Sequence, residues 1–167
     1  MSQETSVMNV RRAMVEDAAQ ISALLEDVHQ LHVDAHPEIF KPVSPEVFPP
    51  ETVAALMTDP NVFFFLAEES EEVVGYLQAE LRQRPESPFR YEQNEIHVHH
   101  ISVKPTHKHR GHGERLMDAA KELMHIHNAD TLTLNVWAFN HNAQAFFRAQ
   151  GLEPLQMGMR LRTVETQ

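Results

Sequence analysis

Two apolar runs constrain the architecture most: NVFFFLAE, residues 61–68, and VVGYLQAELR, residues 73–82, separated only by the acid-rich stretch Glu69 to Glu72. Each has strand length and strand composition, and the short polar gap reads as the turn of an antiparallel hairpin. Phe63 to Phe65 then reads as a buried strand, and the acidic run Glu68 to Glu72 as its solvated turn. A hairpin this apolar is stable only when other elements cover it.

The rest of the chain supplies those elements. MNVRRA, residues 8–13, reads as a short first strand. VEDAAQISALLEDVHQLHV, residues 15–33, reads as a helix with acids in its first turn, where the helix dipole favours them. Its apolar residues Ile21, Leu24, Leu25, Val28 and Leu31 follow helical spacing. Pro37 to Pro50 contains five prolines and reads as a surface loop, followed by a short helix, ETVAALMT. Beyond the hairpin come a loop (PESPFRYEQN), a strand (EIHVHHISV) and a helix (GERLMDAAKELMHIH) with Leu116, Ala120, Leu123 and Met124 on one face. TLTLNVWAF predicts a strand, NAQAFFRAQ a helix and LQMGMRLRTV a last strand. The order predicts an α/β chain with a mixed sheet. Its 167 residues suit one domain, with residues 1–7 as a flexible tail.

Composition excludes several chemistries. There is no cysteine, so disulfides, thiolate metal sites and a cysteine nucleophile are ruled out, and a cytoplasmic location is expected. No run of apolar residues is long enough to span a membrane, and MSQETSVMNVRR lacks the apolar core of a secretory leader. The formal charge of −10 argues against general nucleic-acid binding. Against that total, residues 104–115 hold Lys104, Lys108, Arg110 and Arg115 with one acid, Glu114.

That basic segment follows a strand, contains Gly111 and Gly113, and leads into a helix. The first N–H groups of a helix lack intrahelical partners, and they favour an anion. Glycines there let an anion approach the backbone. The segment lacks the Lys-Ser/Thr ending of a P-loop. A second reading competes: His97, His99, His107, His109 and His112 are imidazoles at short spacing, the raw material of a metal site. No HExxH pair accompanies them.

KHRGHG, residues 108–113, resembles the pyrophosphate loop of the GNAT superfamily of N-acetyltransferases. That pattern is Gln or Arg, two residues, Gly, one residue, then Gly or Ala. Lys108 replaces the usual Gln or Arg and keeps a donor. NHNAQAFFRAQGL, residues 140–152, resembles the family's downstream segment, with Asn140, Ala143, Phe146, Phe147 and Gly151 matching. The likeness is close over the C-terminal half and rests on element order in the first half.

The resemblance implies a GNAT-like fold, a mixed and mostly antiparallel sheet flanked by helices. It implies acetyl-CoA as co-substrate and no metal. The loop from Lys108 through His109, Arg110, Gly111, His112 and Gly113 to Glu114 would cradle the pyrophosphate, with Lys104, Lys108 and Arg110 adding positive charge. Ile101, Ser102 and Val103 would pair with the pantetheine amides as if with a strand. Asn140 would touch the pantetheine arm, and Phe147 stands where the family usually has a tyrosine.

Acetyl transfer to an amine requires the amine to lose a proton and the thioester oxygen to receive hydrogen bonds. His97 matches the family's Glu on the strand before the loop; His99 and Glu95, placed on the same face by the two-residue period, rank behind it as bases. Asn135 occupies the other family base position and cannot act as one. Phe147 cannot donate a proton, but a thiol with pKa ~8.5 leaves as thiolate, so the reaction would slow rather than stop. The expected partners are acetyl-CoA and an amine acceptor: a small amine or antibiotic, a polyamine, or a protein amine. A homodimer is possible, and neither nucleic acid nor membrane is expected. His32, Asp34 and His36 read first as part of a solvated helix and second as candidates to face the amine, and Trp137 reads as core or pocket wall. The alternative function is a non-catalytic acyl-CoA-binding module, motivated by Phe147 and by the missing Glu on both base strands.

Overall fold

A computed structural model describes residues 6–163. Residues 1–5 of the expected tail lie outside it; of the other two, the Ser6 hydroxyl donates to Glu69 at 2.7 Å, and the Ser70 N–H donates to the Val7 carbonyl at 3.0 Å. The described chain groups into two compact units, one ending at Asn135 and one beginning at Val136.

The first unit is a five-stranded sheet in the order β1 (Met8–Arg12), β2 (Val62–Glu69), β3 (Glu72–Arg84), β4 (Gln93–Val103) and β5 (Thr131–Leu134). The first four strands pair antiparallel and β5 pairs parallel with β4, so the sheet is mixed, as expected. One face carries Phe64, Leu66 and Tyr76, packed with Ile21, Leu24 and Leu25 of α1 (Ala18–Ala35) and Val53 of α2 (Pro50–Leu56). Burial of each large apolar side chain there contributes about 1.5–3 kcal/mol. Leu116, Met117, Ala120 and Leu123 form the buried stripe of α3 (His112–Ile126), which packs on the sheet. Met117 is fully buried and was not on the expected apolar face, whereas Leu31 of α1 is 44% exposed. Gly75 permits close approach of β3 to β4, since a Cβ there would stand 2.7 Å from the Ser102 carbonyl oxygen.

Some expectations fail for identifiable reasons. Asp17 does not serve the dipole of α1; it takes a bidentate pair from Arg11 (2.8 and 2.9 Å) and the Met14 N–H (2.7 Å). β5 ends at Leu134 rather than running to Phe139, because its pairing with β4 stops at Val98. The second unit holds α4 (His141–Ala149), and residues 155–163 form no strand. Leu155, Met157, Met159 and Leu161 alternate as strand residues do, yet each is at least 83% exposed. A period of two does not make a strand without a partner for its backbone groups. Val164, the last residue of that predicted strand, lies outside the described residues.

The β2–β3 turn carries strain. Ser70 (φ 50°) and Glu71 (φ 70°) are both left-handed, a geometry that hairpins normally give to Asn-Gly. Replacing them together, Ser70→Asn and Glu71→Gly, is expected to stabilise the protein by ~1 kcal/mol and raise the melting temperature by about 2–4 °C. An unchanged or lower melting temperature would show that the turn carries no such strain.

Candidate active site

The site begins with the unequal pairing of β4. Along β3 it is bonded from Gln93 to Val103, but β5 covers its other edge only from Glu95 to Val98. Among the described residues no strand takes the β5-side edge from 99 to 103. Ile101, Ser102 and Val103 therefore present a free backbone edge, while the Ser102 hydroxyl is turned to α1 and donates to the Leu24 carbonyl at 2.9 Å.

β4 also bulges. Gln78 pairs with His100 and Ala79 with Val98, which leaves His99 as an extra residue. Simple alternation from Glu95 to His99, as expected from the sequence, is thus broken. His97 and Glu95 lie opposite Glu80 and Arg82, on the α1 face of the sheet. His99 still reaches this group through the bulge: its Nε2 lies 2.6 Å from Glu80 Oε2, and its ring centroid is 4.9 Å from that of His97.

His97 and Glu95 are buried, at 7% and 6% exposure. His97 Nδ1 lies 2.8 Å from Thr133 Oγ1, and the Thr133 hydroxyl donates to Glu95 Oε2 at 3.3 Å. Arg84 Nη2 stands 3.1 Å from Glu95 Oε1, an ion pair without hydrogen-bond alignment. Burial, with Arg82 and His99 adding to it, pushes His97 down to about 4, against the opposing pull of Glu95 and Glu80. It is a neutral imidazole at pH 7. Burial likewise pushes His100 to about 4; its Nδ1 lies 3.2 Å from the Tyr76 hydroxyl, and Phe48 packs edge-on at 5.4 Å. Burial raises Glu80, but bonds from His99 and Arg82 outweigh it and leave the carboxyl below its usual value.

These shifts predict acid lability. Both histidines titrate near 6.5 when unfolded and near 4 when folded, so the unfolded state binds more protons in between. Stability is therefore full above pH 7 and falls as the pH drops from 6.5 toward 4, by ~2 kcal/mol per histidine at pH 5. Denaturant melts at pH 7.5, 6 and 5 check this; a flat midpoint across the range contradicts the burial of both rings.

The loop after β4 is held open at its apex. His109 (φ 62°) and Gly111 (φ 93°) are left-handed, and Gly111 is the N-cap of α3 with no side chain capping the helix. A Cβ at Gly111 would meet nothing within 4 Å, so the N-cap itself is not covered on that side. The N–H groups of His112, Gly113 and Glu114 belong to the first turn of α3. The loop's cations are partly engaged elsewhere: Lys104 pairs with Glu72 at 2.7 Å and Arg110 with Glu69 at 3.1 Å. The His112 side chain is buried and its Nε2 lies 2.7 Å from Glu69, fastening the helix start to the end of β2. Bonds from Ser6 and His112, with Arg110 nearby, hold Glu69 down to about 2.

Of the proposed acceptor-side residues, His32 packs against Phe40 at 5.1 Å, Asp34 accepts from Gln30 at 2.6 Å, and His36 lies 3.2 Å from Glu38. Within the second unit, Asn140 caps α4, its Oδ1 accepting from the Ala143 N–H at 3.0 Å. Phe147 is buried and stacks edge-on with Phe146 at 5.3 Å, while Trp137 is 39% exposed rather than core. No three His, Asp or Glu side chains gather among the described residues in a way that could hold a metal.

The sequence profile of the Acetyltransferase (GNAT) family matches residues 25–152. The chain belongs to that family. An uncharacterised N-acetyltransferase from the pepI 3′ region of Lactobacillus delbrueckii subsp. lactis is 29% identical over 93 residues, covering 56% of this chain and 53% of that protein. The chain thus spans about half the length of this curated relative. The BH1408 protein of Bacillus halodurans, solved as a tetramutant, has a TM-score of 0.89 at 23% identity, covering 93% of this chain and 99% of that one. An aminoglycoside N-acetyltransferase, AAC(6′)-Iy, solved with CoA, has a TM-score of 0.69 at 16% identity, covering 98% and 99%. At these identities the likeness establishes the GNAT fold.

Four residues of the GNAT chain's polar sheet face escaped the sequence reading: Thr133, Glu80, Tyr76 and Gln78. Thr133 had a signal, because TLTL alternates and places both threonines on one face. Gln78 is 6% exposed, with its Oε1 unpaired among the described residues. Its place opposite His100 depends on the bulge, which no local pattern in the sequence announces.

Proposed function

We propose that this chain transfers an acetyl group from acetyl-CoA to a primary amine by direct attack in a ternary complex. The observation that carries the reading is the free edge of β4 at 99–103 leading into the open, uncapped start of α3 at Gly111. A free strand edge offers N–H and C=O groups to an amide-bearing arm, and an open helix N-terminus offers N–H groups to a pyrophosphate. Ile101 to Val103 would hold the first, and Lys108 to Glu114 the second. Acetyl-CoA supplies the activated acetyl group.

The chain's own residues handle the proton. A lysine-like amine has pKa ~10.4 and must lose a proton to attack. His97, neutral at pH 7, accepts it at Nε2, directly or through water. His99 and Glu95 take supporting roles, His99 through Glu80 and Glu95 through Thr133. Free N–H groups of the β4 edge are donors for the oxygen on which charge grows. Glu80 and the unpaired Gln78 oxygen are acceptors suited to an amine. The fold likeness to an aminoglycoside N-acetyltransferase supports an amine acceptor, and the absence of cysteine supports a cytoplasmic location.

Calorimetric titration with acetyl-CoA in the presence of EDTA, followed by thiol release with a panel of primary amines, tests the proposal. The chain has no cysteine, so the thiol signal is free of protein background. Saturable binding with amine-dependent release is expected. Binding without release by any amine would leave only an acyl-CoA-binding role, and absence of binding would overturn the reading.

A further inference from the structure

We infer that Thr133 is a positioning residue that fixes the tautomer of His97, and so leaves Nε2 of His97 as the proton acceptor. The inference rests on the reading of His97 as the base and goes one residue further out. Thr133 lies directly opposite His97 in the parallel β4–β5 register, so the two side chains stand side by side on one face of the sheet.

The argument is a count of protons. The Thr133 hydroxyl has one hydrogen, and its contact with Glu95 Oε2 at 3.3 Å assigns that hydrogen to the carboxylate, which is an acceptor only. Thr133 Oγ1 must then accept at its other contact, 2.8 Å from His97 Nδ1. His97 therefore carries its proton on Nδ1, and the lone pair sits on Nε2. The chain of donors runs one way, from His97 Nδ1–H to Thr133 to Glu95. Glu95 is buried and its other oxygen lies 3.1 Å from Arg84 Nη2, so the relay ends beside a guanidinium. When Nε2 takes a proton from the amine, the positive charge on the ring faces the Glu95 carboxylate through the intervening hydroxyl. The Nδ1 proton stays on the ring throughout, and the proton gained at Nε2 passes to solvent or to the departing thiolate.

Glu95 is thereby moved from the rank of alternative base to that of anchor. Its carboxylate is linked to the ring of His97 through Thr133. Valine has nearly the shape of threonine and no hydroxyl, whereas serine keeps the hydroxyl.

The test compares wild type, Thr133→Val and Thr133→Ser. The tautomer of His97 is read by nitrogen-15 NMR of the imidazole, assigned with His97→Gln. Wild type is expected to show a protonated Nδ1 and a bare Nε2. Thr133→Val is expected to lose that preference and to lower kcat about 10–100-fold, a part of the roughly 10²–10⁴-fold that a positioned base contributes. Acetyl-CoA affinity should stay unchanged, and Thr133→Ser should restore both tautomer and rate. A wild-type tautomer and rate in Thr133→Val would overturn the inference. If the tautomer shifts in Thr133→Val but wild type transfers acetyl to no amine, the relay stands and the proposed function falls.

Discussion

Gly111→Asp is expected to weaken acetyl-CoA binding by about 100-fold, or ~2.7 kcal/mol, while leaving the fold in place. Gly111 sits at the N-cap of α3 with φ 93° and with nothing within 4 Å of an added Cβ. The added Cβ therefore meets no protein atom, and the rest of the side chain reaches toward the space that the proposed pyrophosphate would take. Three effects then act together. An L-residue in the left-handed region costs about 1–2 kcal/mol of local strain. Aspartate is a favoured N-cap, so its carboxylate competes for the first-turn N–H groups that the phosphate would take. Its charge also repels the pyrophosphate by up to roughly 4 kcal/mol at 4 Å for an effective dielectric of 20. The cap partly offsets the strain, so the melting temperature should change little. Gly111→Ala separates the effects, since it keeps the strain and omits the charge and the cap. Calorimetry on both variants decides: wild-type affinity in Gly111→Asp would place the pyrophosphate elsewhere.

His97→Ala is expected to lower kcat by about 10²-fold, near the low end for a positioned base. The reason for the low end is in the burial of the ring. An imidazole pushed down to about 4 is fully available at pH 7 but binds a proton weakly, so it passes the proton on rather than keeping it. Acetyl-CoA binding should be unaffected, because the free β4 edge and the α3 cradle do not use the His97 side chain. The pH profile supplies a second reading. The limb due to His97 should lie near pH 4, well below the 6.5 of a free imidazole, and any change in rate between pH 6 and 8 should follow deprotonation of the acceptor amine. Steady-state thiol release from pH 5 to 9 checks this: no limb should appear near 6.5, and the rise in rate should track the acceptor amine. Equal turnover in wild type and His97→Ala would remove the histidine from proton transfer and turn attention to Glu80 and His99.

These two residues show unequal legibility in the sequence. Gly111 was readable as the start of α3 because helix starts, glycines and basic side chains are local in sequence, and an uncapped helix end is a local backbone structure. His97 was readable only through the family pattern, and its chemistry was not, because burial by α1-side elements and the charges of Arg82 and His99 come from distant segments. Thr133 and Glu80 join His97 through strand pairing 36 and 17 residues away in sequence, as His97↔Thr133 and Glu80↔His97. The bulge at His99 reassigned faces that a two-residue period had assigned, because one extra residue reverses every later side chain.

The sequence by itself determined the order of strands and helices from β1 to α4, the hairpin of β2 and β3, the absence of cysteine chemistry and the glycine-led start of α3. Each follows from interactions among near neighbours: apolar period, turn residues and the orphan groups of a helix end. Tertiary structure alone decided where β5 stops, that residues 155–163 pair with no strand, that Ser6 and His112 converge on Glu69, and that His97 is neutral beside Thr133 and Glu95. Strand ends, desolvation and hydrogen-bond partners depend on groups brought close by folding, and no local stretch of chain encodes them separately.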